Sequence, residues 1–206
     1  VPSSADGGRT WVALAAALAL ASVVAFGGAA PDALEWQPAR AWHEPWRAWT
    51  AALVHYSAFH LVVNLVGTAL VAALGWYARV PRSTTVAWLV AWPLTQFGLL
   101  ARPDLLHYAG LSGVLHAGTA CVGWQLAMHA RGQRRAIGVL VLAGLAVKVA
   151  SESPWGEALR TPAGWDIATA PFAHASGLVA GLTAAIVCDA IARARGRSPK
   201  RAADTS

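Results

Sequence analysis

Residues 49–77 read WTAALVHYSAFHLVVNLVGTALVAALGWY, a run with no Lys, Arg, Asp or Glu. About 20 apolar residues cross the roughly 30 Å hydrocarbon core of a bilayer as a helix rising 1.5 Å per residue. A backbone in lipid must satisfy its own hydrogen bonds, so such a run reads as a helix. This one is long enough to tilt or to project beyond the bilayer. Five further apolar runs flank it: Trp11–Ala30, Thr84–Ala101, Gly110–His129, Ala136–Ser151 and Ala168–Ala192. Thr84–Ala101 and Ala136–Ser151 are only just long enough. The expected fold class is all-α, a polytopic membrane protein with a bundle of six transmembrane helices in residues 1–192. A basic, disordered cytoplasmic tail is expected over 193–206.

Composition agrees with a membrane protein. Hydrophobic residues make up 56% of the 206-residue chain and charged residues 13%, about half the roughly 25% of ordinary globular domains. The net charge of +6 does not build a basic face for nucleic acid, because the cations lie in short connections and in the tail. Cys121 and Cys188 fall within apolar runs and read as small hydrophobes, not as a disulfide framework. The first run follows Arg9 and ends in small residues, as a signal peptide would. Its apolar core exceeds a usual signal-peptide core, so it is expected as an uncleaved first span.

Basic residues alternate between the connections. Arg9, Arg79, Arg82, Arg131, Arg134, Arg135 and the run from Arg193 to Arg201 fall on one side, 11 in all, against Arg40, Arg47, Arg102 and Arg160 on the other. The positive-inside rule then places both termini in the cytoplasm of a multi-pass protein of the inner (plasma) membrane. The first external connection, WQPARAWHEPWRAW over 36–49, carries four tryptophans. It is expected on the outer interface, where indoles anchor.

Ionisable groups inside a span are costly and point to function. The second run holds His55, His60 and Asn64, the fourth opens GLSGVLH with Ser112 and His116, and the sixth holds AHASGLVAG with His174 and Ser176. In the six-span topology all three runs descend from outside to inside, so these groups share the outer half of the membrane. One polar cavity open to the outside explains a common depth. His60 and Asn64, four apart, share a helix face. His174, Gly177 and Gly181 share another, and glycines four apart let a neighbouring helix approach closely. The fourth run is also rich in small residues, Gly110 and Gly113 among them. Close packing of the fourth and sixth helices would bring Ser112 to His174 as nucleophile and general base. The helix N-terminus at Ser112, with His60 and Asn64, would supply oxyanion donors. No acidic residue is placed to complete a triad, so the pair is expected to act as a Ser–His dyad. Taken singly, each signal has a plainer reading: Gly-x-Ser-Gly as packing, a histidine as a core residue, Asn64 as an interhelical hydrogen bond. Their joint occurrence favours chemistry.

At these residues the chain resembles the rhomboid intramembrane serine proteases. Their pattern is H-x-x-x-N on the second helix, Gly-x-Ser-Gly opening the fourth, and a histidine followed by G-x-x-x-G on the sixth. The positions here are His60 and Asn64, Gly110 to Gly113, and His174 with Gly177 and Gly181. The resemblance implies a six-helix core that admits water from the outer face and cleaves transmembrane proteins entering laterally. Ser112 would be the nucleophile and His174 the base, with His60, Asn64 and the Ser112 N–H as the oxyanion site. His55 matches a position common in bacterial rhomboids. His116 stands where many rhomboids carry an aromatic residue that packs on the catalytic imidazole. It would stack there, or compete as a base from the serine's own helix.

GLSGVLH together with Lys148 and Glu152 looks most like the rhombosortase branch, which processes surface proteins ending in Gly-Gly, a hydrophobic helix and a basic tail. Lys148 and Glu152 are also readable as a snorkelling lysine with an interfacial partner. The expected partners are transmembrane substrates and the lipid bilayer, without nucleic acid, cofactor or metal. Two other functions compete with the protease. One is an inactive rhomboid-like protein that binds helices without cutting them. The other is a transporter or metal protein using the histidines, against which there is no H-E-x-x-H string and no short, interrupted pair of spans.

Overall fold

The computed structural model describes residues 4–28 and 30–203. Six long helices are found among them: α1 (Ser4–Gly28), α2 (Ala58–Ala78), α3 (Arg82–Gly98), α4 (Ser112–His129), α5 (Gly132–Ser151) and α6 (Pro171–Ala203). No strand forms among the described residues, and two isolated bridges, Trp36 with Tyr108 and Arg160 with Thr169, pin the loops at one end. The protein is a helical membrane protein by this measure: α1, α2, α3 extended to Ala101, and α6 are each long and apolar enough to cross a bilayer. The other two fall short in composition for separate reasons. Helix α5 carries Arg134, Arg135 and Lys148. Helix α4 is the centre of the bundle, contacting α2, α3, α5 and α6, so it is built of small residues that face protein instead of lipid.

Three expected boundaries shift. The run 49–77 is not one helix. A short turn (Arg47–Thr50), a 3-10 turn (Ala51–Leu53) and a loop precede α2, which starts where the Ser57 hydroxyl accepts from the His60 N–H at 3.0 Å. Serine at an N-cap satisfies one of the free first-turn donors, and it leaves His55 in the loop before the helix. The sixth run starts at Pro171, whose fixed φ suits a first helical position. At its far end, α6 continues to Ala203, so the tail expected to be disordered from residue 193 is helical to that point; residues 204–206 lie outside the described residues.

Two contacts explain the packing. The buried Trp11 of α1 donates its indole N–H to the Val71 carbonyl of α2 at 2.9 Å and stacks on Trp88 of α3 at 4.3 Å. Trp88 in turn donates to the Val114 carbonyl of α4 at 2.8 Å. Between α4 and α6 the seam has no room for side chains. A Cβ on Gly177 would lie 2.0 Å from the Gly113 carbonyl oxygen, and one on Gly181 would lie 2.4 Å from that of Ala117. This backbone-to-backbone contact lets a serine on one helix reach an imidazole on the other. Ser176, which the sequence placed among the polar groups of this helix, donates to the Thr95 carbonyl at 2.7 Å and ties α6 to α3.

Candidate active site

The N-terminal ends of α2, α4 and α6 and the C-terminal end of α5 meet at one end of the bundle. They enclose a cavity of about 980 Å³ whose lining includes His60, Asn64, Ser112, Lys148, Glu152 and His174. Ser112 is the first residue of α4, where backbone N–H groups lack intrahelical acceptors and the helix dipole favours negative charge. His174 lies in the first turn of α6, and its Nε2 is 2.9 Å from Ser112 Oγ.

The expectation of a dyad without an acid partner is corrected. Glu152 Oε2 lies 2.7 Å from His174 Nδ1, and Glu152 Oε1 lies 2.8 Å from Lys148 Nζ. Glu152 follows the last residue of α5, and α5 packs on α4, which carries its end to the imidazole. The i, i+4 pair is therefore formed, but it faces the site as well as the interface. Burial works to raise the Glu152 carboxyl. Hydrogen bonds and charge from His174 and Lys148 outweigh this and hold it down at about 2, so the group stays a carboxylate.

His116 stacks on His174, with ring centroids 4.2 Å apart and planes 10° from parallel. Its Nδ1 lies 2.7 Å from the Ser112 carbonyl oxygen and its Nε2 lies 2.7 Å from Lys148 Nζ. Both ring nitrogens have partners other than the serine hydroxyl, so His116 occupies the stacking position and does not compete as a base.

The His60 ring lies against Gly110: a Cβ on Gly110 would meet His60 Nε2 and Cε1 at 2.7 Å. Gly110 also has φ +124°, a region closed to residues with a Cβ. The position thus needs glycine twice over. Gly113 is needed for space, since a Cβ there would meet the Ala173 carbonyl at 2.9 Å. The Asn64 amide donates to the His60 carbonyl at 3.0 Å, and the residue lines the cavity. His55 is buried beside His60, ring centroids 4.8 Å apart. Its Nδ1 donates to the Leu53 carbonyl at 3.1 Å, and burial lowers its pKa to about 4.

Two features of the site escaped the sequence reading. Tyr108 is buried next to Ser112, paired by backbone with Trp36, and its hydroxyl donates to the Gly110 carbonyl at 3.1 Å. Burial raises its phenol, against the pull of the nearby Ser112 hydroxyl and Gly113 N–H. The loop between α5 and α6 returns over the cavity, where Trp165 meets Phe59 edge-on at 5.5 Å and Asp166 accepts from Ser57 Oγ at 3.0 Å. Neither has a spacing signal, because both depend on where a loop folds back. Among the tryptophans of the first connection, Trp36 is buried while Trp42 and Trp46 are exposed. No family model matches this chain, and a search of curated proteins finds no relative, so the site stands on its own geometry.

Proposed function

We propose that this chain is an intramembrane serine endopeptidase, a reading carried by one observation: the Ser112 hydroxyl within 2.9 Å of His174 Nε2, on the wall of a cavity in a bundle of apolar helices. Ser112 Oγ attacks the scissile carbonyl carbon while His174 Nε2 takes the hydroxyl proton. The negative charge on the carbonyl oxygen is met by the α4 N-terminus, the His60 imidazole and the Asn64 amide. Such a donor is worth roughly 3 kcal/mol in other acyl-transfer sites. As the tetrahedral intermediate collapses, the C–N bond breaks and His174 returns the proton to the leaving amine. Water then attacks the acyl carbon and loses a proton to His174, which returns it to Ser112 Oγ as the acyl C–O bond breaks.

The finer assignments belong to the same proposal. All six long helices cross the membrane, both termini lie in the cytoplasm, and the cavity opens outward, which the distribution of basic residues supports. Substrates are membrane-anchored proteins cut at or near their transmembrane segment. The GLSGVLH string with Lys148 and Glu152 supports the rhombosortase-like specificity, for chains ending in Gly-Gly, an apolar helix and a basic tail.

Co-expression with a reporter carrying such a C-terminal signal tests this. The wild-type chain should cleave the reporter, and Ser112→Ala should abolish cleavage at equal expression. Undiminished cleavage by Ser112→Ala would refute the assignment.

A further inference from the structure

The groups around Ser112 form a closed circuit of hydrogen bonds that begins and ends on that residue. The Ser112 carbonyl can only accept, so the 2.7 Å contact fixes a proton on His116 Nδ1. His116 Nε2 is then an acceptor, and it faces the Lys148 ammonium at 2.7 Å. Lys148 spends a second proton on Glu152 Oε1 at 2.8 Å. The other carboxylate oxygen also only accepts, so the 2.7 Å contact fixes a proton on His174 Nδ1. That leaves His174 Nε2 as the unprotonated nitrogen, 2.9 Å from the Ser112 hydroxyl. Lys148 Nζ also approaches His174 Nδ1 at 3.1 Å, but a nitrogen already bearing hydrogen cannot accept from an ammonium. With both imidazoles neutral, these contacts admit one arrangement of protons on the two rings, the one in which His174 can act as a base.

We infer that Glu152 is the positioning third member of a Ser112–His174–Glu152 relay, with the carboxylate braced by Lys148 and His116. It holds His174 in the tautomer that accepts from Ser112 and stabilises the imidazolium formed when the proton arrives. The stacked His116 keeps the ring in plane, and its Lys148 contact stops the carboxylate from turning away. This rests on the reading of Ser112 as nucleophile.

The test uses purified full-length chain in detergent, measuring three quantities: the rate of fluorophosphonate labelling at Ser112, kcat and KM for a cleaved membrane reporter, and thermal stability. Glu152→Gln keeps the shape but offers an amide that no longer selects the tautomer. Its labelling rate and kcat should fall on the order of 10³- to 10⁴-fold, as seen when the acid of a serine triad is made an amide, with KM and Tm unchanged. Glu152→Asp should recover part of the loss, and Lys148→Met should cost less than Glu152→Gln. Labelling of Glu152→Gln within about twofold of wild type overturns the relay. So does a loss that tracks a lowered Tm and that Glu152→Asp fails to restore, which would make Glu152 a fold residue. A larger defect in Lys148→Met than in Glu152→Gln overturns it too, since the lysine would then be the partner of His174. If the wild-type chain itself takes no label at Ser112, the protease reading falls and the relay with it. A labelled wild type with a fully active Glu152→Gln removes the relay alone.

Discussion

At residue 110 the chain meets two demands that one side chain less satisfies: a φ of +124° and a His60 ring that leaves no room for a Cβ. Gly110→Ala therefore carries strain of about 1–3 kcal/mol and pushes His60 from its place against residue 110. Reporter cleavage should drop by roughly tenfold or more, since displacements of about 1 Å are that costly in other active sites. Wild-type turnover in Gly110→Ala would show that His60 has slack that the packing denies. His55 carries a pH prediction. Its folded pKa is about 4 because it is buried, below the ordinary value near 6.5. Between those values the unfolded chain binds the extra proton, so stability falls as pH drops from about 6.5 to 4 and levels off below. His55→Gln has no proton to gain there, and its Tm should decline less steeply over that window in a thermal series. An identical slope in the variant would mean that other groups govern the acid limb.

The seam between α4 and α6 is the element on which the distance from Ser112 to His174 depends. Gly177→Ala sets a Cβ against the Gly113 carbonyl at 2.0 Å and must part the helices. Overpacking of this kind costs about 1–3 kcal/mol, or a Tm lowered by roughly 3–10 °C in a chain of this size, and activity should fall with it. Gly144→Ala on α5, where a Cβ meets nothing within 4 Å, should be neutral or slightly stabilising in the same measurement, because alanine is the better helix former. This seam was legible in the sequence, since G-x-x-x-G at 177 and 181 following a histidine states which face packs closely. The helix starts were less so. Apolarity alone runs from residue 49 into α2, and only the hydrogen bond from the His60 N–H to Ser57 Oγ shows where the helix begins. Glu152 stood out in the sequence beside Lys148, but its contact with His174 did not. On a helix diagram it pairs with Lys148 four residues earlier and looks complete. Its second carboxylate oxygen finds His174 only because α5 ends beside α6, a juxtaposition that no local pattern encodes.

Across the whole molecule, the polar groups gather at the end where α2, α4 and α6 begin, while the arginines at 79, 82, 131, 134 and 193 gather at the other. The proposed topology places the first end outside and the second in the cytoplasm. In a chain with Cys121 and Cys188 replaced by alanine, a cysteine at Glu157 should react with a membrane-impermeant maleimide on intact cells or spheroplasts. A cysteine at Gln133 should react only after permeabilisation. The reverse pattern would invert the protein, and equal reactivity would break the six-span count. Shared depth, visible in the sequence once the spans are laid out, groups the histidines, Asn64 and Ser112; the fold adds the contacts of Glu152 and Lys148 with the two imidazoles and the loop that returns over them. The proposed function requires that Ser112 be a nucleophile activated by His174. Fluorophosphonate labelling of the purified chain, with the modified residue mapped by peptide mass spectrometry, tests it most directly. Adduct is expected on Ser112 in the wild type and none at that position in Ser112→Ala or His174→Ala. A wild-type chain unmodified at Ser112, or modified equally when His174 is alanine, would contradict it.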